Sequence, residues 1–352
     1  MMGAGTKIVI FQTAFLGDVI LTLPVAQALH RAYPHATIDL VTTPQAAGLV
    51  KNHPAINSVI PYDKKRSQTG VSGIIEIVST LRRRSYDIAI VPHRSVRSAS
   101  IIRLAGIPMR IGFTSSSFRW AYTHRIPYVA SRHEVERNLS LLSALNVVVA
   151  EKEIPAVYPD ANDVRAVEKF LFEQEVIGSE RCIALAPGSV WNTKRWLPER
   201  FTGLAHALAH DGWAVFLIGG SEDEQLCRSI AAEASHKNIF LTAGKFSLLE
   251  SAELLRRCKV LVSNDSAPLH LSVAVGTPVV AVFGATVPEF GFAPYGDINA
   301  VVEIKGLACR PCGIHGGHEC PIGTFDCMKR IDVNGVLAAI HKVVTEYSSK
   351  NY

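Results

Sequence analysis

KVLVSNDSAPLHLSVAVGTPVVAVFG, Lys259 to Gly284, is the stretch that decides the fold. An apolar β-branched run ends at Ser263, a short polar segment Asn264-Asp265-Ser266-Ala267 follows, and Leu269–Val275 carries helical spacing. Gly276 stops that helix, and PVVAVFG restarts a buried strand. Two strands that are apolar on both faces, joined by a helix, make a parallel βαβ unit. Small residues at such a helix start leave backbone amides open to an anion, and the helix dipole favours phosphate there. His270 adds a donor about one turn in. Taken in isolation, the window favours simple capping by Asp265 or Ser266.

The same alternation extends in both directions. RCIALAPGS, WAVFLIGG, NIFLTAG and KVLVSND are strand candidates beside PVVAVFG. PERFTGLAHALAHDG, EDEQLCRSIAAEAS and SLLESAELLRRC read as the helices between them, and VNGVLAAIHKVVTEY as an amphipathic last helix. In the first half, strands are expected near Lys7–Phe11, Thr37–Thr42, Ser58–Pro61 and Asp87–Pro92, with helices over Gly73–Arg84 and Arg97–Leu104. VVVAEKEIPAVYPD, Val147–Asp160, breaks the pattern with prolines and charges. The expectation is α/β: two doubly wound, Rossmann-like domains, 1–155 and 156–352, facing a central cleft, with the C-terminal helix available to pack back on the first domain. No G-x-G-x-x-G opens a helix and no G-x4-G-K-[ST] occurs, so neither a dinucleotide fingerprint nor a P-loop is present.

The 352 residues are 48% hydrophobic and 19% charged, a globular composition with room for two cores. The N-terminal apolar run is interrupted by Gln12, Gly17 and Asp18, unlike a signal peptide, and no run is long enough to span a bilayer; a cytoplasmic protein is expected. The net charge of +5 conceals an asymmetry: residues 1–150 hold 17 Lys+Arg against 7 Asp+Glu, the remainder 19 against 24. A basic first half points to an anionic partner. Nucleic acid fits poorly, since the aromatic interleaving of such surfaces is missing.

Three further windows carry chemistry. KIVIFQTAFLGDVILTLPVAQALHRAYP places Asp18 where a strand gives way to a helix running from Val19 to Leu29. The residue type alone favours an N-cap; a catalytic carboxylate is the alternative, because α/β sheets present their sites beyond the carboxyl ends of strands. LAPGSVWNTKRWLPERF offers Ser189, Thr193, Lys194 and Arg195 between Trp191 and Trp196, a setting in which Lys194 can hold a diphosphate as a point charge. FLIGGSEDEQL places Glu222 and Asp223 after a strand, suited to ribose hydroxyls or to an acidic first helical turn.

Seven cysteines in a chain of this kind do not suggest a disulfide scaffold. Four cluster as Cys309-x2-Cys312-x7-Cys320-x6-Cys327, with His315 and His318 inside. The spacing admits a structural zinc, but the second pair is not a C-x2-C knuckle, and free thiols are the other reading.

Taken together, PGSVWNTKRW and SNDSAPLHLSVAVGTPVVAVFG resemble the ADP-heptose:lipopolysaccharide heptosyltransferases, especially the heptosyltransferase II branch. GDVILTLPVAQAL is similar to that family's opening motif, LAGIPMRIGF and HEVERNLSLL to its middle, and CRPCGIHG followed by CPIGTFDCM to its late segment. The resemblance spans nearly the whole chain. It implies a GT-B architecture and an inverting, metal-independent glycosyltransferase without a cofactor. Asp18 matches the catalytic base, Ser189 and Lys194 the diphosphate contacts, and Asp265, Ser266, Ala267 and His270 the phosphate-binding helix start. Asp223 falls nearest the ribose acid and Phe246, in GKFSLLESA, where adenine is flanked. One departure is Ala267-Pro268, where the family more often has Gly; the Ala267 amide remains, but Pro268 contributes none.

The implied donor is ADP-heptose, and the implied acceptor a lipopolysaccharide inner core, heptosyl-Kdo-lipid A. Lys64, Arg94, Arg97 and Arg119 are the candidate acceptor contacts, by charge and loop placement. The same basic face suits peripheral contact with the inner surface of the cytoplasmic membrane. Two rival readings follow: a GT-B transferase or epimerase acting on another nucleotide sugar, and a non-catalytic sugar-nucleotide-binding protein.

Overall fold

The computed structural model describes residues 5–149, 151–176 and 181–350. The chain divides into two compact units, Met1–Tyr158 and Pro159–Tyr352.

The first unit runs β1 (Lys7–Phe11), α1 (Leu16–Ile20), α2 (Leu23–Ala32), β2 (Thr37–Thr42), α3 (Pro44–Val50), β3 (Ser58–Pro61), α4 (Gly70–Arg84), β4 (Ile88–Val91), α5 (Val96–Leu104), β5 (Met109–Phe113), β6 (His124–Ile126) and α6 (Glu134–Ser140). Its six parallel strands lie in the order β3-β2-β1-β4-β5-β6. Ile8, Val9, Ile10 and Phe11 of β1 are buried, as a central strand covered on both faces requires.

The helix read over Val19–Leu29 is two helices. Leu21 caps α1, and α2 begins at Leu23 with Pro24 in its first turn, a place where proline's missing N–H costs nothing. Thr22, between them, donates its hydroxyl to the Asp18 carbonyl at 2.8 Å and accepts from the Gln12 amide at 3.2 Å. Two strands, β5 and β6, were not anticipated as strands. β6 is three residues long and mostly exposed, so it has no apolar run to betray it.

The second unit runs α7 (Ala161–Glu173), β7 (Cys182–Ala186), α8 (Pro198–His210), β8 (Ala214–Leu217), α9 (Glu224–Ala234), β9 (Ile239–Leu241), α10 (Leu248–Arg256), β10 (Val260–Asn264), α11 (Ala267–Val273), β11 (Val279–Phe283), β12 (Ala300–Glu303), α12 (Asp326–Lys329) and α13 (Val333–Lys350). The order is β12-β11-β10-β7-β8-β9, again all parallel. α13 packs on α8 and on β10–β12, placing Val336, Ile340 and Val343 in the core. Trp196 is in that core too, its indole N–H satisfied by the Ile331 carbonyl at 3.1 Å.

Each sheet has one place where the strand order reverses: between β1 and β4 in the first, between β7 and β10 in the second. Loops leaving the two central strands there turn to opposite faces and open a crevice, which is where doubly wound sheets bind ligands.

Candidate active site

At the β7/β10 reversal the loops are stitched together by Asn264. Its side-chain amide donates to the Pro187 carbonyl at 2.8 Å, and its carbonyl accepts from the Trp196 backbone N–H at 2.9 Å. This brings the turn after β7 against the end of β10. Lys194, in a 3₁₀ turn, then reaches Asp265, Nζ to Oδ2 2.6 Å, with both side chains largely buried. The same Oδ2 accepts from the Thr286 hydroxyl at 2.6 Å. Ser266 is the N-cap of α11 and its hydroxyl lies 3.5 Å from the Gly188 carbonyl. The helix begins at Ala267, two residues earlier than the spacing indicated, with Pro268 in its first turn; His270 is buried in it.

Asp223 joins this rim from the β8 loop. Its Oδ2 accepts from the Gly220 N–H at 3.1 Å, and its carboxylate lies so close to Gly188 and Gly219 that a Cβ on either would overlap it. A side chain at 188 would therefore force the Asp223 carboxylate out of this position. Burial pushes the Asp223 carboxyl up, with Glu222 adding to the effect and the Gly220 amide opposing it. Ser189 is nearly buried, its carbonyl accepting from Arg195 Nε at 2.7 Å. The Gly244 N–H donates to the Gly219 carbonyl at 3.1 Å, tying the β9 loop to the β8 loop, and Phe246 sits edge-on to Phe170, ring centres 5.3 Å apart.

The late cysteine segment braces this rim. Thr193 is clasped to Gly317 by three hydrogen bonds: its N–H and hydroxyl to the Gly317 carbonyl (3.1 and 3.0 Å) and its hydroxyl from the Gly317 N–H (2.8 Å). Trp191 packs on His318, and the Cys312 N–H donates to the Ala285 carbonyl at 2.8 Å. All seven cysteines are free thiols, and among the described residues no group of three or more His, Cys, Asp or Glu is arranged to hold a metal ion.

At the β1/β4 reversal Asp18 is the third residue of α1 rather than its N-cap; its Oδ2 accepts from the N–H of Phe15, the residue that holds the cap position, at 3.1 Å. The local hydrogen bond and the placement beyond β1 coexist. Lys64, arriving from β3, donates to the Thr13 carbonyl at 2.6 Å, and Arg97 approaches the Lys64 carbonyl at 3.4 Å. Burial lowers the Lys64 pKa, with Lys65 and Arg97 adding repulsion. His93, after β4, is held down to about 4 by burial, then by Lys64 and Arg94. Arg94 stacks on Tyr128 at 4.4 Å, and Arg137 covers the same ring at 4.8 Å. Arg119 is engaged elsewhere, over Trp120 at 5.0 Å.

Sequence reasoning does not single out Asn264, Thr286 or Thr13 for these roles. Thr286 follows no period and stands in a loop, where pattern carries no signal.

Among solved structures, the chain is similar to a glycosyltransferase family 9 protein from Veillonella parvula (TM-score 0.89, 24% identity, 98% of this chain and 99% of that one). It is also similar to the Escherichia coli ADP-heptose lipopolysaccharide heptosyltransferase II (TM-score 0.79, 23% identity, 97% and 100%). These likenesses define the fold as that of a GT-B-type glycosyltransferase. In sequence, the profile of glycosyltransferase family 9 (heptosyltransferase) matches residues 74–316. The chain belongs to that family, and is a glycosyltransferase. Curated relatives include lipopolysaccharide heptosyltransferase 3 of Escherichia coli K12, 29% identical over 280 residues (77% of this chain, 80% of that protein). Lipopolysaccharide heptosyltransferase 2 of the same strain is 26% identical over 297 residues (81% and 84%). Among the described residues no helix is long and apolar enough to cross a membrane.

Proposed function

We propose that the protein transfers heptose from ADP-L-glycero-D-manno-heptose to a heptosyl-Kdo-lipid A acceptor in the lipopolysaccharide inner core, inverting the anomeric centre. The observation that carries the reading is the Lys194–Asp265 pair beside the α11 N-terminus at the crevice of the second sheet. Lys194, Ser189 and the Ser266–Ala267 amides take the diphosphate, Asp223 the ribose, and Phe246 flanks adenine. Asp18 accepts the proton of the attacking acceptor hydroxyl. The new bond forms from that oxygen to the anomeric carbon while the bond from that carbon to the diphosphate oxygen breaks. The electron pair leaves with ADP, whose added charge falls on Lys194 and the helix-start amides.

Lys64, Arg94 and Arg97 serve the acid groups of the acceptor, and the basic excess of residues 1–150 suits peripheral contact with an anionic membrane surface. Arg119, over an exposed Trp120, fits that surface contact better than the Lys64 cluster.

The test is turnover by the purified protein with ADP-, UDP- and GDP-sugars, on acceptors carrying Kdo alone or heptosyl-Kdo on lipid A. Heptose transfer from the ADP sugar to the heptosylated acceptor is the expected result. Preference for UDP or GDP supports a different GT-B enzyme, and tight ADP-heptose binding without turnover a binding protein; either outcome overturns the reading.

A further inference from the structure

Thr286 takes no part in the chemistry described so far, yet it is almost fully buried, 1% exposed, and its hydroxyl shares one carboxylate oxygen with the donor-site lysine. Lys194 Nζ and Thr286 Oγ1 each lie 2.6 Å from Asp265 Oδ2. Thr286 is itself held from behind. Arg310, its side chain 5% exposed, donates to the Thr286 carbonyl at 2.7 Å and to Glu303 at 2.9 Å, and the Cys312 N–H fixes the neighbouring Ala285 carbonyl. A buried arginine with a carboxylate partner is a rigid anchor, because moving either group alone strands a charge.

We propose that Thr286, anchored by Arg310, is a positioning residue for Lys194, acting through Asp265 to set how firmly the carboxylate holds the ammonium. The inference rests on the reading of Lys194 as the diphosphate contact. A lysine with a close carboxylate partner in a largely buried site is already half satisfied; it serves a diphosphate only by sharing its three N–H groups. The Thr286 hydroxyl occupies part of the acceptor capacity of Oδ2 and fixes the carboxylate's rotation. That leaves Lys194 anchored on one side with its remaining donors free for the diphosphate. Without the hydroxyl, the carboxylate draws Lys194 more tightly and turns more freely. The loss is greatest when charge grows on the leaving diphosphate, so it appears in kcat and in the affinity for ADP more than in the KM of the donor.

The experiment compares Thr286→Val, which keeps the volume and removes the hydroxyl, with Thr286→Ser, which keeps the hydroxyl, and with Lys194→Ala. The readouts are ADP-heptose transfer, ADP binding by calorimetry and thermal melting. Thr286→Val is expected to lower kcat and to raise the Kd of ADP about tenfold each, with donor KM within about twofold. Thr286→Ser restores both to near wild type. A valine variant with wild-type kcat and ADP affinity overturns the proposal, as does a serine variant as impaired as the valine one. Should the valine variant melt early, Thr286→Ala replaces it and the same two results apply. If Lys194→Ala itself transfers heptose and binds ADP normally, the site reading fails; normal Thr286→Val beside a crippled Lys194→Ala refutes the positioning role alone.

Discussion

The two crevices are built on the same sheet topology and treat charge in opposite ways. In the second unit the cations are partnered: Lys194 by Asp265, Arg310 by Glu303, both pairs largely buried. At the crevice of the first, cations crowd one another: Lys64 rests on a backbone carbonyl, its pKa lowered by burial and then by Lys65 and Arg97, while burial, with Lys64 and Arg94 adding to it, lowers the His93 pKa to about 4. A partnered lysine is preorganised and adds little long-range field. A cluster of like charges raises the local potential, which an incoming anion relieves, at long range and subject to salt. The difference suits the proposed reading: a nucleotide diphosphate gripped by geometry in one unit, and a larger polyanionic acceptor drawn by field in the other.

The comparison can be broken most severely at Asp18. Asp18→Asn keeps the shape and removes the proposed base, so transfer should fall about 10²- to 10⁴-fold while ADP-heptose binding is unchanged; turnover and calorimetry on the same preparation check both. Next comes Gly188→Ala, which drives a methyl into the Asp223 carboxylate. ADP affinity should drop roughly as far as in Asp223→Ala, and the double variant should lose no more than either alone.

The smallest effect is on stability in acid. His93 and His53 have folded pKa values of about 4, below the ordinary imidazole value of 6.5. The unfolded chain therefore binds more protons in between; stability is full above about pH 6.5 and declines as pH falls toward 4. His93→Gln should flatten that decline in thermal melts taken across the window. An unchanged slope would show that His93 is charged or accessible in the folded protein.

Much of this was legible in the chain because it depends on local pattern. Apolar strands such as Val260–Asn264 and Val279–Phe283 are buried on both faces and announce themselves; β12, Ala300–Glu303, is half-buried and does not. Lys194 and Asp265 were each visible as chemistry-bearing residues at strand ends, but their pairing depends on which strands are neighbours, and β7 lies beside β10 across more than seventy residues of sequence. Residue type alone favours Asp18 as a cap, yet it holds the third helical position, a difference of one turn's geometry that residue type does not encode. In the late segment the thiol spacing is the visible pattern, whereas Arg310 and Gly317 make the contacts that brace the rim.

The most direct test of the division of labour is two-substrate kinetics on Lys194→Ala and on Lys64→Ala with Arg97→Ala, each over a range of salt. Lys194→Ala should impair the ADP-sugar side, with acceptor KM unmoved. The Lys64/Arg97 variant should raise acceptor KM about tenfold, flatten its salt dependence and leave ADP affinity intact. Matching changes in both substrates from either variant, or an acceptor KM indifferent to salt in the wild type, would contradict the account.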